Sequence, residues 1–180
     1  MLETTLKQIE QLESDILKQK KKLSELKLSL PLQETSDYSF TSRDGSKISL
    51  SDLFGDQEEL ILIHNMGSSC SYCTRWADGF TGIESWLKER AAFALASPDD
   101  YKHQAEFADG RGWKFKMVST EGNSFSADMG YEAADGSPLP GVSTFRKRPD
   151  GKIERIAHAP FGPGDDFCSI WHFFDLLPAK

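Results

Sequence analysis

The sequence predicts an α/β chain, a central sheet flanked by helices, with a β-hairpin and a long amphipathic helix ahead of it. Three observations carry this reading. Leu2, Ile9, Ile16, Leu23 and Leu30 recur every seventh residue, with Thr5, Leu12, Gln19 and Leu26 between them. That is the narrow apolar seam of a helix. Two short apolar runs, at 59–64 and 92–96, lie on either side of a helix-spaced segment, as strands covered on both faces of a sheet do. Arg148-Pro149-Asp150-Gly151 separates two alternating segments, and proline followed by Asp-Gly is turn chemistry.

In chain order, the leading helix has no Gly or Pro until Pro31, which ends it. Residues 1–31 therefore read as an arm and 32–180 as the domain. The narrow seam suits a homodimer contact through residues 2–30 or packing on the domain itself. Residues 38–41 and 47–50 flank Asp44-Gly45 and predict the hairpin. Ser51 to Gly55 reads as one capped helical turn. Glu59–His64 is the first buried strand. From Cys73, the residues Trp76, Phe80, Ile83, Trp86 and Leu87 recur at helical spacing as far as Arg90. Residues 92–96 form the second strand. Ser97-Pro98-Asp99-Asp100 starts a helix that runs to about Asp109, before Gly110 and Gly112. Residues 113–118 alternate like a strand, and 119–140 are loop-rich. Strands at 142–147 and 152–157 and a closing helix over 166–177 complete the chain.

The chain has 180 residues, 38% of them apolar, which is enough for one domain with a core and an additional arm. Its net charge of −7 is a poor match for nucleic acid, whose phosphates call for a basic face. The Lys18–Lys22 cluster, with acidic residues on both sides, reads as a solvated helix face. No apolar run approaches the roughly 20 residues of a membrane span. The first residues lack the basic start and apolar stretch of a secretory signal. The expectation is a cytoplasmic protein with no membrane or nucleic-acid partner.

The three cysteines are Cys70, Cys73 and Cys168. An odd count argues against a secreted disulfide scaffold. Cys70 and Cys73 stand at a strand-to-helix junction with two residues between them, which lets the sulfurs close one short disulfide ring. A sulfur at a helix start faces unpaired backbone N–H groups and the positive end of the helix dipole. That setting favours thiolate and lowers a cysteine pKa from about 8.5 to roughly 3.5–7.5. Thiolate is the attacking species in disulfide exchange. Cys70 is thus the expected nucleophile and Cys73 the resolving thiol. A zinc site needs four ligands, and Cys168 with His158 or His172 is only an improvised set, so no metal is expected. Cys168, within Phe167-Cys168-Ser169-Ile170-Trp171, reads as a small buried apolar residue. Tyr72, between the cysteines, is a candidate substrate contact. His64, six residues before Cys70, is a candidate proton relay beneath the pair.

These residues resemble a known group. The stretch from Tyr38 to Gly55 is similar to the opening of the peroxiredoxin and thioredoxin-like reductase branch. Gly141-Val142-Ser143-Thr144-Phe145 with Pro149-Asp150-Gly151-Lys152 resembles the stretch that precedes the last hairpin of thioredoxin folds. More specifically, several features resemble a thioredoxin-like bacterial family of unknown function labelled predicted dithiol–disulfide oxidoreductase. They are the helical arm ending in Leu-Pro, His64-Asn65-Met66, Cys70-Ser-Tyr-Cys73-Thr-Arg-Trp76-Ala77-Asp78-Gly79-Phe80 and Gly112-Trp113-Lys-Phe115. The resemblance spans nearly the whole chain. It implies a thioredoxin-like fold, with a central mixed sheet, and a thiol–disulfide oxidoreductase acting on a disulfide-containing protein or a small thiol. An unidentified reductant would restore the dithiol, and no cofactor is required. Substrate would lie against Tyr72, Trp76, Val142 and Ser143.

Three departures stand out. The loop from Met66 to Cys70 is short, and the dipeptide is Ser-Tyr where Pro-Ser is common. Ser143 takes the place of the cis-proline, so the Val142–Ser143 bond is expected to be trans. Two other functions fit the same resemblance. One is a thiol peroxidase with Cys73 as the peroxide-reactive sulfur, Cys70 resolving, and Arg75 or Arg146 beside it. The other is a non-catalytic binding protein working through its arm.

Overall fold

The computed structural model describes residues 2–178. Helix α1 spans Leu2–Leu28, and none of its residues is buried. Its end is fixed by the Ser29 hydroxyl, which donates to the Leu26 carbonyl at 2.8 Å. Lys20 reaches from α1 to Asp166 of the domain.

Strand β1, Gln33–Thr35, is not legible in the sequence, because its first two side chains are exposed and show no alternation. β2 (Ser39–Ser42) and β3 (Lys47–Ser49) form the expected hairpin. Its turn is built on Gly45, whose φ of +84° favours glycine. The helical turn α2 (Leu50–Leu53) begins two residues earlier than expected. Ser49 caps it, and the Asp52 carboxylate returns the bond to the Ser49 amide, a capping box.

The rest follows as β4 (Glu59–His64), α3 (Ser71–Thr81), α4 (Glu84–Lys88), β5 (Ala92–Ser97), α5 (Tyr101–Arg111), β6 (Lys116–Ser119), α6 (Phe125–Asp128), β7 (Gly141–Lys147), β8 (Ile153–Pro160) and α7 (Ser169–Phe174). The single helix expected from Cys73 to Arg90 divides at Gly82, which ends α3. The closing helix is shorter than expected. Asp165 binds the amides of Gly162, Phe167 and Cys168 and so holds that segment as a turn.

Among the described residues the strands form one eight-stranded sheet, ordered β1-β8-β7-β4-β5-β6-β2-β3. β4 runs parallel to β5 and antiparallel to β7, so the sheet is mixed. Side chains alternate between two cores, as the period of two requires. Leu60, Leu62, Ala94, Ala96, Val118 and Phe145 face the hairpin, α2 and α6. Ile63, Phe93, Leu95, Met117 and Val142 face α3 and α7, together with Cys73, Trp76 and Trp171. Among the described residues no helix is long and apolar enough to cross a membrane.

One glycine is imposed by packing. A Cβ on Gly141 would lie 2.2 Å from the Tyr131 ring and 2.6 Å from the Ala159 carbonyl oxygen. Tyr131 must sit there, because its hydroxyl donates to the Val142 carbonyl at 2.8 Å. Gly141→Ala is therefore expected to destabilise the fold by about 3 kcal/mol, the upper end of overpacking effects. Urea unfolding checks this, and a change below about 1 kcal/mol would refute the close approach.

Candidate active site

The site grows out of the end of β4. The chain leaves the sheet at His64, turns through residues 65–69, and enters α3 at Cys70. The turn requires Gly67, with φ +101°. Asn65 Oδ1 accepts the Gly67 amide at 2.8 Å, and the Asp99 carboxylate accepts the Ser68 amide at 2.7 Å. Asp99 sits so close that a Cβ on Gly67 would lie 2.7 Å from its Oδ1. Ser68 Oγ also lies 2.7 Å from His103 Nε2. The start of α5 thereby clamps the loop that presents Cys70.

Cys70 is the N-cap of α3, and its Sγ accepts the Cys73 amide at 3.2 Å. It is half-buried, whereas Cys73 behind it is buried. Cys73 Sγ accepts the Met66 amide at 3.4 Å. Both thiols are free. Burial pushes the Cys73 thiol up to about 12, with hydrogen bonding to the Cys70 side chain adding to the effect and the Met66 amide opposing it. The more accessible sulfur thus faces the Cys73 amide at the helix start, and the inner one holds its proton.

The rim divides the expected substrate contacts. Tyr72 is 44% exposed and lies beside Trp171, ring centres 5.6 Å apart. The Arg75 guanidinium stands over the Tyr72 ring at 5.2 Å and over Trp171 at 5.7 Å. Trp76, at 3% exposure, belongs to the core, and its indole N–H donates to Asp165 at 3.3 Å. It offers no face to a substrate. Asp78, two residues on, accepts the Trp113 indole N–H at 2.9 Å and pairs with Arg111, which fixes α3 to the segment before β6. Hydrogen bonding to Arg111 holds the Asp78 carboxyl below the usual carboxylate range.

His64 and Ser143 occupy the other side of the sheet. His64 follows Leu60 and Leu62 in the alternation, stacks on Tyr131 at 3.8 Å and on Phe125 at 5.4 Å, and meets Ser143 Oγ through Nε2 at 2.9 Å. Burial holds its pKa well below the usual histidine range, and the charges of Arg155 and His158 add to this. The relay expected beneath the cysteines is therefore not assembled, because the pleat turns the imidazole away from α3. The Ser143 hydroxyl points the same way, leaving Val142 as the residue of that strand packed with Cys73. No peptide bond among the described residues is cis, Val142–Ser143 included. Cys168 is buried as the N-cap of α7. Among the described residues no group of three His, Cys, Asp or Glu side chains is placed to hold a metal ion.

The two arginines considered for a peroxidase site are also elsewhere. Arg75 is on the aromatic rim, and Arg146 pairs with Glu59 at 3.1 Å. Glu59 is at the opposite end of β4 from His64, roughly 17 Å away at about 3.3 Å per residue. Asp99 and Asp165 are the site residues that sequence reasoning missed, and of the two only Asp99 carried a signal, as an acid near a helix start. Arg75 is expected from the sequence only as a partner of Cys73.

The chain belongs to the family described as bacterial protein of unknown function (DUF899), whose model matches residues 4–179. Comparison with curated proteins gives no match. Among solved structures it is similar to the peroxidoxin BcpB from Mycobacterium tuberculosis, with TM-score 0.58 and 23% identity over 72% of this chain and 84% of that one. It is similar to the yeast mitochondrial 1-Cys peroxiredoxin, with TM-score 0.62 and 14% identity over 81% and 75%. It is also similar to a putative protein disulfide isomerase from Bacteroides thetaiotaomicron, with TM-score 0.55 and 20% identity over 79% and 86%. At these identities the likeness establishes the thioredoxin-like fold.

Two outcomes follow from the site geometry. Folded Cys73 keeps its proton up to about 12, whereas an unfolded cysteine loses it near 8.5. The folded state therefore binds more protons above pH 8.5, and stability should fall as pH rises from there toward 12. Urea unfolding across that range should show a slope that Cys73→Ala reduces, most clearly between about pH 8.5 and 10, below the range in which tyrosines titrate. Asp99→Ala leaves the Ser68 amide without its acceptor, and should cost about 1–3 kcal/mol in the same assay.

Proposed function

We propose that this member of the family is a thiol–disulfide oxidoreductase in which Cys70 attacks and Cys73 resolves. The observation that carries the reading is the inequality of the two sulfurs. Cys70 is the accessible one and caps a helix, with the Cys73 amide directed at it. Cys73 is 1% exposed and held protonated behind it. A half-buried sulfur that accepts a helix-start amide is suited to begin exchange, and a buried thiol behind it is suited to finish it.

In the first step Cys70 thiolate attacks one sulfur of a substrate disulfide R–S–S–R′. The Cys70–S–S–R bond forms, and R′–S⁻ leaves and takes up a proton. Cys73 then gives up its proton to solvent, and its thiolate attacks Cys70 Sγ. The Cys70–Cys73 disulfide forms and R–S⁻ departs as the second thiol. The substrate has gained two electrons and the protein has lost two, and a dithiol reductant returns them. Tyr72, next but one to Cys70 in the chain, with the Arg75 and Trp171 that pack on its ring, would meet the substrate. The thioredoxin-like fold and the redox enzymes among the structural neighbours support thiol chemistry in general. The peroxidase alternative lacks support from the site, because its reactive sulfur would be the buried Cys73, with neither Arg75 nor Arg146 shown beside it.

The test is thiol trapping of the full chain against graded dithiol buffers, read by mass. A single two-electron transition between about −120 and −270 mV is expected for the wild type. With a model disulfide, Cys73→Ser should accumulate the mixed disulfide on Cys70, and Cys70→Ser should form none. A pair that never closes, or sulfenic acid accumulating on Cys73 under low peroxide, would overturn the proposal.

A further inference from the structure

Helix α1 is a 27-residue amphipathic helix with its apolar seam uncovered. Leu2, Ile9, Leu12, Ile16, Leu23 and Leu26 are between 47% and 76% exposed. Leaving so much aliphatic surface in water is unfavourable, and contiguous patches of this kind mark interaction sites. The charges along the helix say what covers it. In the first half Glu3, Glu10, Glu13 and Asp15 outnumber Lys7, for a net −3; in the second Lys18, Lys20, Lys21, Lys22 and Lys27 outnumber Glu25, for a net +4. Two such helices side by side in the same direction would set acid against acid and lysine against lysine. Reversing one sets each acidic half against a basic half.

The domain offers a continuation of the same surface. An apolar groove of about 380 Å³ opens between α3 and the sheet, lined by Ile61, Ile63, Phe80, Val142 and Phe167, with Lys27 of α1 at its edge. Asp166, held by Lys20, also lines it. The C-terminal end of α1 therefore lies at the edge of the groove. Phe80, Ile63 and Val142 belong to the core cluster that contains Cys73.

We propose that two copies of this chain associate through antiparallel pairing of their α1 helices along this seam, so that the first turn of each helix reaches the groove of the other copy. A 27-residue helix is about 40 Å long. Six aliphatic side chains from each copy over that length are consistent with the lower end of a stable interface, roughly 1,200 Å² of total surface. In the antiparallel arrangement Leu2 of the partner subunit lies opposite Leu26, next to Lys27 and the groove. The second copy thus shields the sheet face behind the cysteines.

The test is sedimentation equilibrium of the full chain at about 0.05 M and about 0.5 M NaCl, conditions that shorten the screening length severalfold. The wild type should be a dimer at micromolar concentration. Ile9→Asp with Ile16→Asp should raise the dissociation constant by about a hundredfold or more, because it buries charge in the seam. No residue of α1 is buried in the single chain, so circular dichroism of the variant should show a folded domain. High salt should loosen the dimer severalfold, since opposite charges face each other. A wild type that stays monomeric, a dimer that survives the double substitution, or a dimer that tightens with salt, as parallel pairing requires, would each overturn the proposal.

Discussion

The rest of the site depends on the hydrogen bond from the Ser68 amide to the Asp99 carboxylate. Together with the contact between Ser68 Oγ and His103 Nε2, it holds the loop between β4 and α3. With it, the loop is tied to the junction of β5 and α5, which are part of the packed sheet. Gly67 makes the contact possible, because any side chain there would collide with the carboxylate. The position of Cys70 is thus set twice, by the helix it caps and by the acid that fixes the residues before it. Such positioning from two sides keeps a reacting group from drifting by the ångström that costs rate.

The two faces of the sheet carry different kinds of polar group. Behind α3 the two sulfurs and the carboxylates of Asp78 and Asp165 accept from named donors, while the buried Trp171 Nε1 has no partner among the described residues. On the hairpin side, His64 Nδ1 and the Arg155 Nε and Nη2 are buried without a hydrogen-bond partner among the described residues. Orphaned donors of this kind are costly. The Arg155 guanidinium recovers part of that by standing over the Tyr131 ring at 5.7 Å. Tyr131 in turn stacks on His64. The result is a column of rings and a cation that holds β4, β7 and β8 together on the side away from the thiols.

Much of this was legible in the residues. The buried strands declared themselves as short apolar runs, the hairpin by Asp44-Gly45, and the redox pair by its spacing at a strand end. The parts that were not legible share a cause: they are decided by which way a side chain points. His64 and Ser143 looked like neighbours of the cysteines in sequence and register. They are on the far side because their positions in β4 and β7 have the parity of Leu62 and not of Ile63. Trp76 looked like a groove residue and is core: it shares a face of α3 with Tyr72, one turn further in, where Phe161, Trp171 and Asp165 cover it. The closing helix shortened because Asp165 satisfies three amides better than a helical turn would. β1 gave no pattern because it borrows its order from β8.

The sheet's two edges bear on how the chain behaves in company. Each terminal strand, β1 and β3, is only three residues long. Each is also polar. Glu34 in β1 is bridged by Lys152, just before the neighbouring strand β8, and Lys47 in β3 donates to Thr41 of its partner strand. Open strand edges invite other chains to add on and are the usual start of fibrils, and brevity with charge is how they are blunted. A crowded solution of this protein therefore finds little backbone to grow on at either end of the sheet, and unwanted β-type aggregation has few places to begin.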